Sequence, residues 1–125
     1  MEELRADILI EVDRVADRLR SLSQAKLTGP VAGHASRAQA ARSTAQALAD
    51  AAALVESGHA ARAAGVAPGH SVPLLNEFAA GDQVAVTGHD LIAALDAAPG
   101  ADFAPAVQAL AADALERLRS LRRLL

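Results

Sequence analysis

The chain has 125 residues with a formal net charge of -3, and it contains no cysteine, tryptophan or tyrosine. This length suits one domain, and the missing cysteines exclude disulfides, thiolate zinc sites and cysteine nucleophiles. Without aromatic platforms or excess positive charge, no role in nucleic-acid binding is expected.

Alanine fills 33 positions, against 32 for Leu, Ile, Val, Phe and Met together. Such a composition favours helices that pack closely. The acidic start of the chain lacks the basic leader and apolar run of a secretory signal. No apolar run approaches the roughly 20 residues that span a bilayer, so we expect a cytoplasmic protein without integral membrane association.

The first predicted helix covers about residues 2–25. Its apolar positions recur at spacings of three and four, the pattern of an amphipathic helix. They are Leu4, Ile8, Val12, Val15, Leu19 and Leu22. The Gly29-Pro30 pair then interrupts the pattern and predicts a connection.

The second predicted helix covers about residues 36–64, with a buried stripe made mostly of alanine. The stripe comprises Ala38, Ala41, Ala45, Leu48, Ala52 and Val55. Its end is open, because Gly58 could cap the helix or the helix could continue to Gly65. A loop containing Pro68 and Gly69 follows.

The third predicted helix covers about residues 73–97 and includes the ambiguous stretch "VAVTGHDLIAAL". A lone strand would leave its backbone groups unpaired, so a helix is favoured. Its buried stripe would be Leu74, Phe78, Gly81, Ala85, Gly88, Ile92 and Leu95, with Asn76, Gln83, Thr87 and Asp90 opposite.

Two glycines in the predicted stripe of the third helix need an explanation, because glycine weakens a helix interior. We expect Gly81 and Gly88 to permit close approach to the alanine stripe of the second helix. Alternatively, Gly81 breaks the segment and Asp82 caps a new helix.

The fourth predicted helix covers about residues 103–125, with Asp102 as its N-cap and Pro105 in its first turn. The apolar stripe comprises Phe103, Val107, Leu110, Ala114, Leu118, Leu121 and Leu125. Four helices with short connections predict a single all-α domain over residues 1–125, an alanine-rich, up-down-up-down four-helix bundle.

His89 is the histidine with the strongest claim to a role, because it lies at the edge of the predicted stripe. In the expected bundle its level coincides with Glu11, Asp50 and Asp113. One interpretation is a histidine–carboxylate hydrogen bond that sets the register of the bundle. The others are a metal or small-ligand site formed by His89, Glu11 and Asp50, and an exposed His89 without such a partner.

A weaker metal candidate is the pair Glu56 and His59, which has the Glu-x-x-His spacing of di-iron helical bundles. That site needs the motif twice together with two further glutamates, and the sequence contains it once. No cofactor is therefore predicted.

No arrangement of catalytic residues is evident, since the chain lacks a G-x-S-x-G elbow and glycine-rich phosphate loops. The chain is similar in size and composition to the small alanine-rich helical substrates of type VII secretion. Without tryptophan it cannot form their Trp-x-Gly turn, so nothing is carried over. We expect a non-enzymatic interaction module that forms a homodimer or binds another helical protein, through apolar surface left over on the first and fourth helices.

Overall fold

The computed structural model describes residues 2–64 (backbone alone for 58–64), 71–97 and 105–125. Within these residues the protein is all-α, as predicted, and no strand occurs apart from a single bridge between Val31 and His34. The five α-helices are α1 (Glu2–Ser21), α2 (Gln24–Thr28), α3 (Arg37–Ala64), α4 (Ala80–Ala97) and α5 (Pro105–Leu124). None of the described helices is long and apolar enough to cross a membrane.

The first predicted helix is two helices in the structure. α1 ends at Ser21, and Ser23 then caps the five-residue α2 by accepting a hydrogen bond from the backbone N–H of Lys26. The break keeps both Leu22 and Leu27 in the core, because the chain changes direction between them. A serine N-cap inside a periodic apolar pattern is thus the local cause of the shortened helix.

α3 confirms the longer of the two alternatives for the second helix. It begins after Ser36, whose hydroxyl accepts a hydrogen bond from the backbone N–H of Gln39 at 3.0 Å, and it continues through Gly58 to Ala64. Its buried face matches the predicted stripe, with Ala41, Ala45 and Leu48 fully buried. Small side chains on this face let neighbouring backbones come close.

α4 begins at Ala80, seven residues later than the predicted start at 73. Leu74 and Phe78, assigned to the buried stripe, are exposed, whereas Thr87, assigned to the polar face, is buried. Thr87 is accommodated because its hydroxyl donates to the Gln83 carbonyl at 2.8 Å. The buried face of α4 is Ala80, Gly81, Val84, Thr87, Gly88, Leu91, Ile92 and Ala94, which is rotated relative to the predicted one.

Gly81 does not break α4, and Asp82 does not cap it, since both lie in its first turn. The close approach predicted at the glycines is present, but its partner is α1 rather than the alanine-lined α3. A Cβ at Gly88 would lie 2.5 Å from Val12 Cγ2, and one at Gly81 would lie 2.9 Å from the Ala16 carbonyl oxygen. Only glycine permits this separation between α1 and α4.

Ion pairs at both ends show that α1 and α4 run antiparallel. Arg5 near the start of α1 binds Asp96 at the end of α4, with Nη2 to Oδ2 at 2.7 Å. Arg20 at the end of α1 binds Asp82 at the start of α4, with Nη2 to Oδ1 at 2.8 Å. Hydrogen bonds to Asp96 lower the pKa of its carboxyl below the ordinary value and raise the pKa of Arg5.

The predicted up-down-up-down order is wrong, because α3 and α4 run in the same direction. The residues before α4 lie beside Arg42 near the start of α3. Farther along, Asp90 shares a cavity with Glu56. The chain therefore enters α4 from the end of the bundle at which α3 begins.

α5 begins at Pro105, a residue well suited to the first helical position because its missing N–H has no partner there. The predicted cap Asp102 and stripe residue Phe103 lie outside the described residues. Val107, Ala114, Leu118 and Leu121 are buried as expected. The stripes of α1 and α5 belong to one core cluster, so the apolar surplus predicted on these helices is wrong.

Candidate functional site

His89 lies on the surface of α4, where its imidazole is 53% exposed. Its Nε2 is 3.4 Å from Asp13 Oδ1 on α1, and the Asp13 side chain is likewise exposed. The carboxylate beside His89 is therefore Asp13, which was not among the three predicted. Rotation of the buried face of α4 turns His89 away from the core.

Glu11 is the most deeply buried carboxylate of the described residues, with 5% of its side chain exposed. Both of its oxygens accept hydrogen bonds from Arg122 on α5, at 2.9 and 3.0 Å. Arg14 lies 3.6 Å from the same carboxylate. Two arginines satisfy the charge, so Glu11 joins α1 to α5 rather than facing a ligand.

The other candidate ligands are dispersed. Asp50 on α3 accepts a hydrogen bond from Gln46 at 2.9 Å, Glu56 is exposed, and the side chain of His59 lies outside the described residues. Across the side chains that the structure describes, no three His, Asp or Glu groups come together where they could hold a metal ion. His89, Glu11 and Asp50 therefore do not form one site.

A feature that the sequence did not indicate lies between α3 and α4. Residues 71–76 are non-helical and lead into a 3₁₀ turn, Glu77–Ala79, that continues directly into α4. We call residues 71–79 the strap. Because Pro73 disfavours helical geometry in the residue before it, the strap begins extended rather than helical.

Side chains of α3 and α4 form hydrogen bonds with the strap backbone at Val72 and Pro73. Gln46 accepts a hydrogen bond from the Val72 N–H at 2.7 Å, and Arg42 Nη2 donates to the Val72 carbonyl at 2.9 Å. Gln83 on α4 donates to the Pro73 carbonyl at 2.6 Å. These hydrogen bonds satisfy backbone groups of the strap that have no neighbouring strand to pair with. The Val72 side chain is buried.

The end of the strap is organised by Asn76. Its side-chain oxygen accepts a hydrogen bond from the Phe78 N–H at 3.0 Å, which caps the 3₁₀ turn. Glu77 lies in the first turn, where a carboxylate complements the positive end of the helix. An Asn-Glu pair at a helix start is a recognisable signal, and it could have placed the start of α4 correctly from the sequence.

With its backbone held down, the strap displays large apolar side chains to solvent. Leu74 is 81% exposed, Phe78 is 59% exposed and Leu75 is 55% exposed, and Val86 on α4 is 60% exposed. We call these four side chains the strap surface. The fifth exposed large hydrophobic residue of the described chain, Ile10, lies apart from them on α1.

The strap surface borders an apolar groove of about 320 Å³ between the strap and α4. Its lining residues are Val72, Pro73, Leu75, Ala79, Asp82, Gln83, Val86 and Thr87. A groove of this size accepts two or three aliphatic side chains, and exposed apolar patches of this kind commonly mark interaction sites.

Comparisons of the chain with protein-family models, curated proteins and solved structures found no match.

Proposed function

We propose that this protein is a non-enzymatic interaction module that binds an α-helix of a partner protein on the strap surface. The observation that carries the proposal is the concentration of exposed apolar side chains there. Four of the five exposed large hydrophobic residues of the described chain belong to this surface. Exposing them to water without a partner is unfavourable, at roughly 25 cal/mol per Å² of apolar area.

The shape of the surface suits a helix. A groove lined by the exposed side chains of Leu75 and Val86 suits the mode in which an amphipathic helix inserts apolar anchors at i, i+3, i+4 and i+7. The strap itself is held by three hydrogen bonds from side chains, so little ordering is needed on this side of the contact. A preformed surface reduces the entropic cost of binding.

A second copy of the chain fits the strap surface less well. The four side chains offer roughly 400–500 Å², about half of the ~800 Å² per partner of a standard stable interface. A twofold contact would also bring the acidic groups Glu77, Asp82 and Asp90 of one copy close to the same set on the other, because each patch meets the same patch. Like charges facing each other across a contact are unfavourable.

The test uses a fluorescently labelled 18-residue amphipathic peptide with leucine on one face and neutral glutamine and alanine elsewhere. We expect the full-length protein to bind it, and Leu75→Ser to weaken binding about tenfold or more, because Leu75 lines the groove. The matched control is Ile10→Ser, which removes an exposed hydrophobic side chain on α1 that does not line the groove and should leave binding unchanged. Both substitutions are at exposed positions, so circular dichroism should show folded protein in each case.

Two results would overturn the proposal. One is equal loss of peptide binding in Leu75→Ser and Ile10→Ser, or no binding to the unsubstituted protein. The other is a concentration-dependent dimer in sedimentation experiments at tens of micromolar that Leu75→Ser abolishes. That outcome would make a second copy the occupant of the strap surface.

A further inference from the structure

The surroundings of the strap surface carry charge of one sign. Residues 71–97 contain four carboxylates, Glu77, Asp82, Asp90 and Asp96, and no lysine or arginine. The remainder of the chain holds all twelve basic residues. Residues 71–97, which carry the strap surface, therefore contribute carboxylates but no lysine or arginine to its surroundings.

Arginines pair with two of these four carboxylates, Arg20 with Asp82 and Arg5 with Asp96. Arg42 binds the Val72 carbonyl rather than a carboxylate. Glu77 and Asp90 form no ion pair with any described side chain. Their negative charge is therefore available to a group approaching from solvent.

A second cavity extends the apolar groove toward α3. It has a volume of about 560 Å³ and shares Val72, Pro73 and Thr87 with the groove. Its walls include Glu56 and Asp90, together with Ser57 and Ser71 and small alanines of α3. An elongated ligand lying in the groove would reach these two carboxylates at one end.

We propose that the helix bound by the strap surface is basic, with its apolar anchors in the groove and lysine or arginine side chains beside Glu56 and Asp90. The inference rests on the proposed function and adds the charge of the partner. Acidic helices and nucleic acids are disfavoured at this surface by repulsion. Long basic side chains suit the site because their aliphatic stems cover apolar wall while the charged ends reach the carboxylates.

The experiment compares three peptides that share one leucine pattern and carry lysine, glutamine or glutamate at the remaining exposed positions. We expect the lysine peptide to bind about fivefold to tenfold more tightly than the glutamine peptide at low salt, and the glutamate peptide to bind most weakly. The lysine preference should shrink as salt is added, because the contacts lie at an exposed rim.

The double substitution Glu56→Gln with Asp90→Asn should remove most of the lysine preference, bringing the affinity for the lysine peptide close to that for the glutamine peptide. Glu2→Gln with Glu3→Gln is the matched control, because it removes the same number of negative charges from exposed positions at the start of α1. This control should retain the preference.

Equal affinity for the lysine and glutamine peptides would overturn the basic-partner inference while leaving the proposed function intact. An equal loss of preference in both double variants would also overturn it, because the attraction would then come from net charge. Failure of all three peptides to bind would count against the proposed function itself.

Discussion

On the side of α4 that faces α1, two glycines bring the helices so close that a single added Cβ would meet Val12 at 2.5 Å. On its other side, α4 borders the strap across a groove of about 320 Å³. The first contact is filled by side chains and joined at both ends by ion pairs. The contact of the strap with its neighbouring helices is held by hydrogen bonds between side chains and the strap backbone, and it leaves apolar side chains exposed to solvent.

Apolar residues thus have different roles on the two sides of α4. The α1 side buries most of its apolar stripe, with Ile8, Val12 and Val15 fully buried, and gains stability from close packing. The strap side leaves large apolar side chains exposed. Changes on the α1 side should therefore alter global stability, whereas changes at the strap should alter local structure and binding.

The largest effect is expected at Arg122. Arg122→Ala removes both hydrogen bonds to the buried Glu11 carboxylate and leaves Arg14 at 3.6 Å as its remaining partner. We expect the free energy of unfolding in urea to fall by about 3 kcal/mol, because an uncompensated charge stays buried. Arg123→Ala breaks an exposed pair with Glu116 and serves as the control, with little change expected. Equal losses in the two variants would contradict this account of Glu11.

A second effect on the α1 side tests the close approach at Gly88. Alanine normally stabilises a helix by about 1 kcal/mol relative to glycine, but here its Cβ would overlap both methyl groups of Val12. We expect Gly88→Ala to lower the free energy of unfolding by about 2 kcal/mol, because a core valine cannot move without strain.

The matched experiment introduces Gly88→Ala into a Val12→Ala background, where the overlapping methyl groups are absent. There the substitution should be neutral or stabilising relative to Val12→Ala alone. A similar loss in both backgrounds would show that Val12 is not the cause.

A smaller effect is expected at the strap. Gln46→Ala leaves the Val72 N–H without its 2.7 Å acceptor, and we expect a loss of about 1–2 kcal/mol. Hydrogen exchange should accelerate at the Val72 amide, while amides in the middle of α1 keep their protection. Gln24→Ala in the exposed part of α2 is the control. Uniform acceleration in both regions would mean that the strap is part of the global unfolding unit.

The smallest effect on stability is expected at the exposed ion pair between Arg5 on α1 and Asp96 on α4. Hydrogen bonds from Arg5 lower the pKa of Asp96, so the pair stabilises the fold above the unfolded carboxyl pKa. This contribution is lost as the pH falls through the lowered pKa. Asp96→Asn should therefore lower the Tm slightly at neutral pH, and the difference should vanish in acid. A difference that persists at the lowest pH would exclude the ion pair as its source.

Helical periodicity predicted the buried stripes of α3 and α5 well, but it extended the first helix to residue 25, beyond the end of α1 at Ser21. It misplaced the start of α4, since Leu74 and Phe78 continue the spacing of three and four without being buried. Periodicity reports which residues could share a face, and local signals decide whether the helix includes them. Here Pro73 and the Asn76 cap outweighed the apolar pattern.

The candidate site could not be predicted from spacing along the chain. The strap is held by Arg42 and Gln46, whose bonds to Val72 span 30 and 26 residues. Nothing in the local sequence specifies that contact. The predicted grouping around His89 is wrong for a related reason. The buried face of α4 is rotated relative to the predicted one, and the imidazole lies beside Asp13 on the surface.

The position of α1 in the fold has a consequence for synthesis on the ribosome. α1 packs chiefly against α4 and α5, and the Glu11–Arg122 pair joins residues separated by 111 positions. At ~5–20 residues per second, Arg122 is made roughly 5–20 s after Glu11. Until α4 and then α5 have been made, Ile8, Val12 and Val15 lack the helices that bury them. The first helix to be made is thus among the last to find its neighbours, which leaves the growing chain dependent on protection of this stripe.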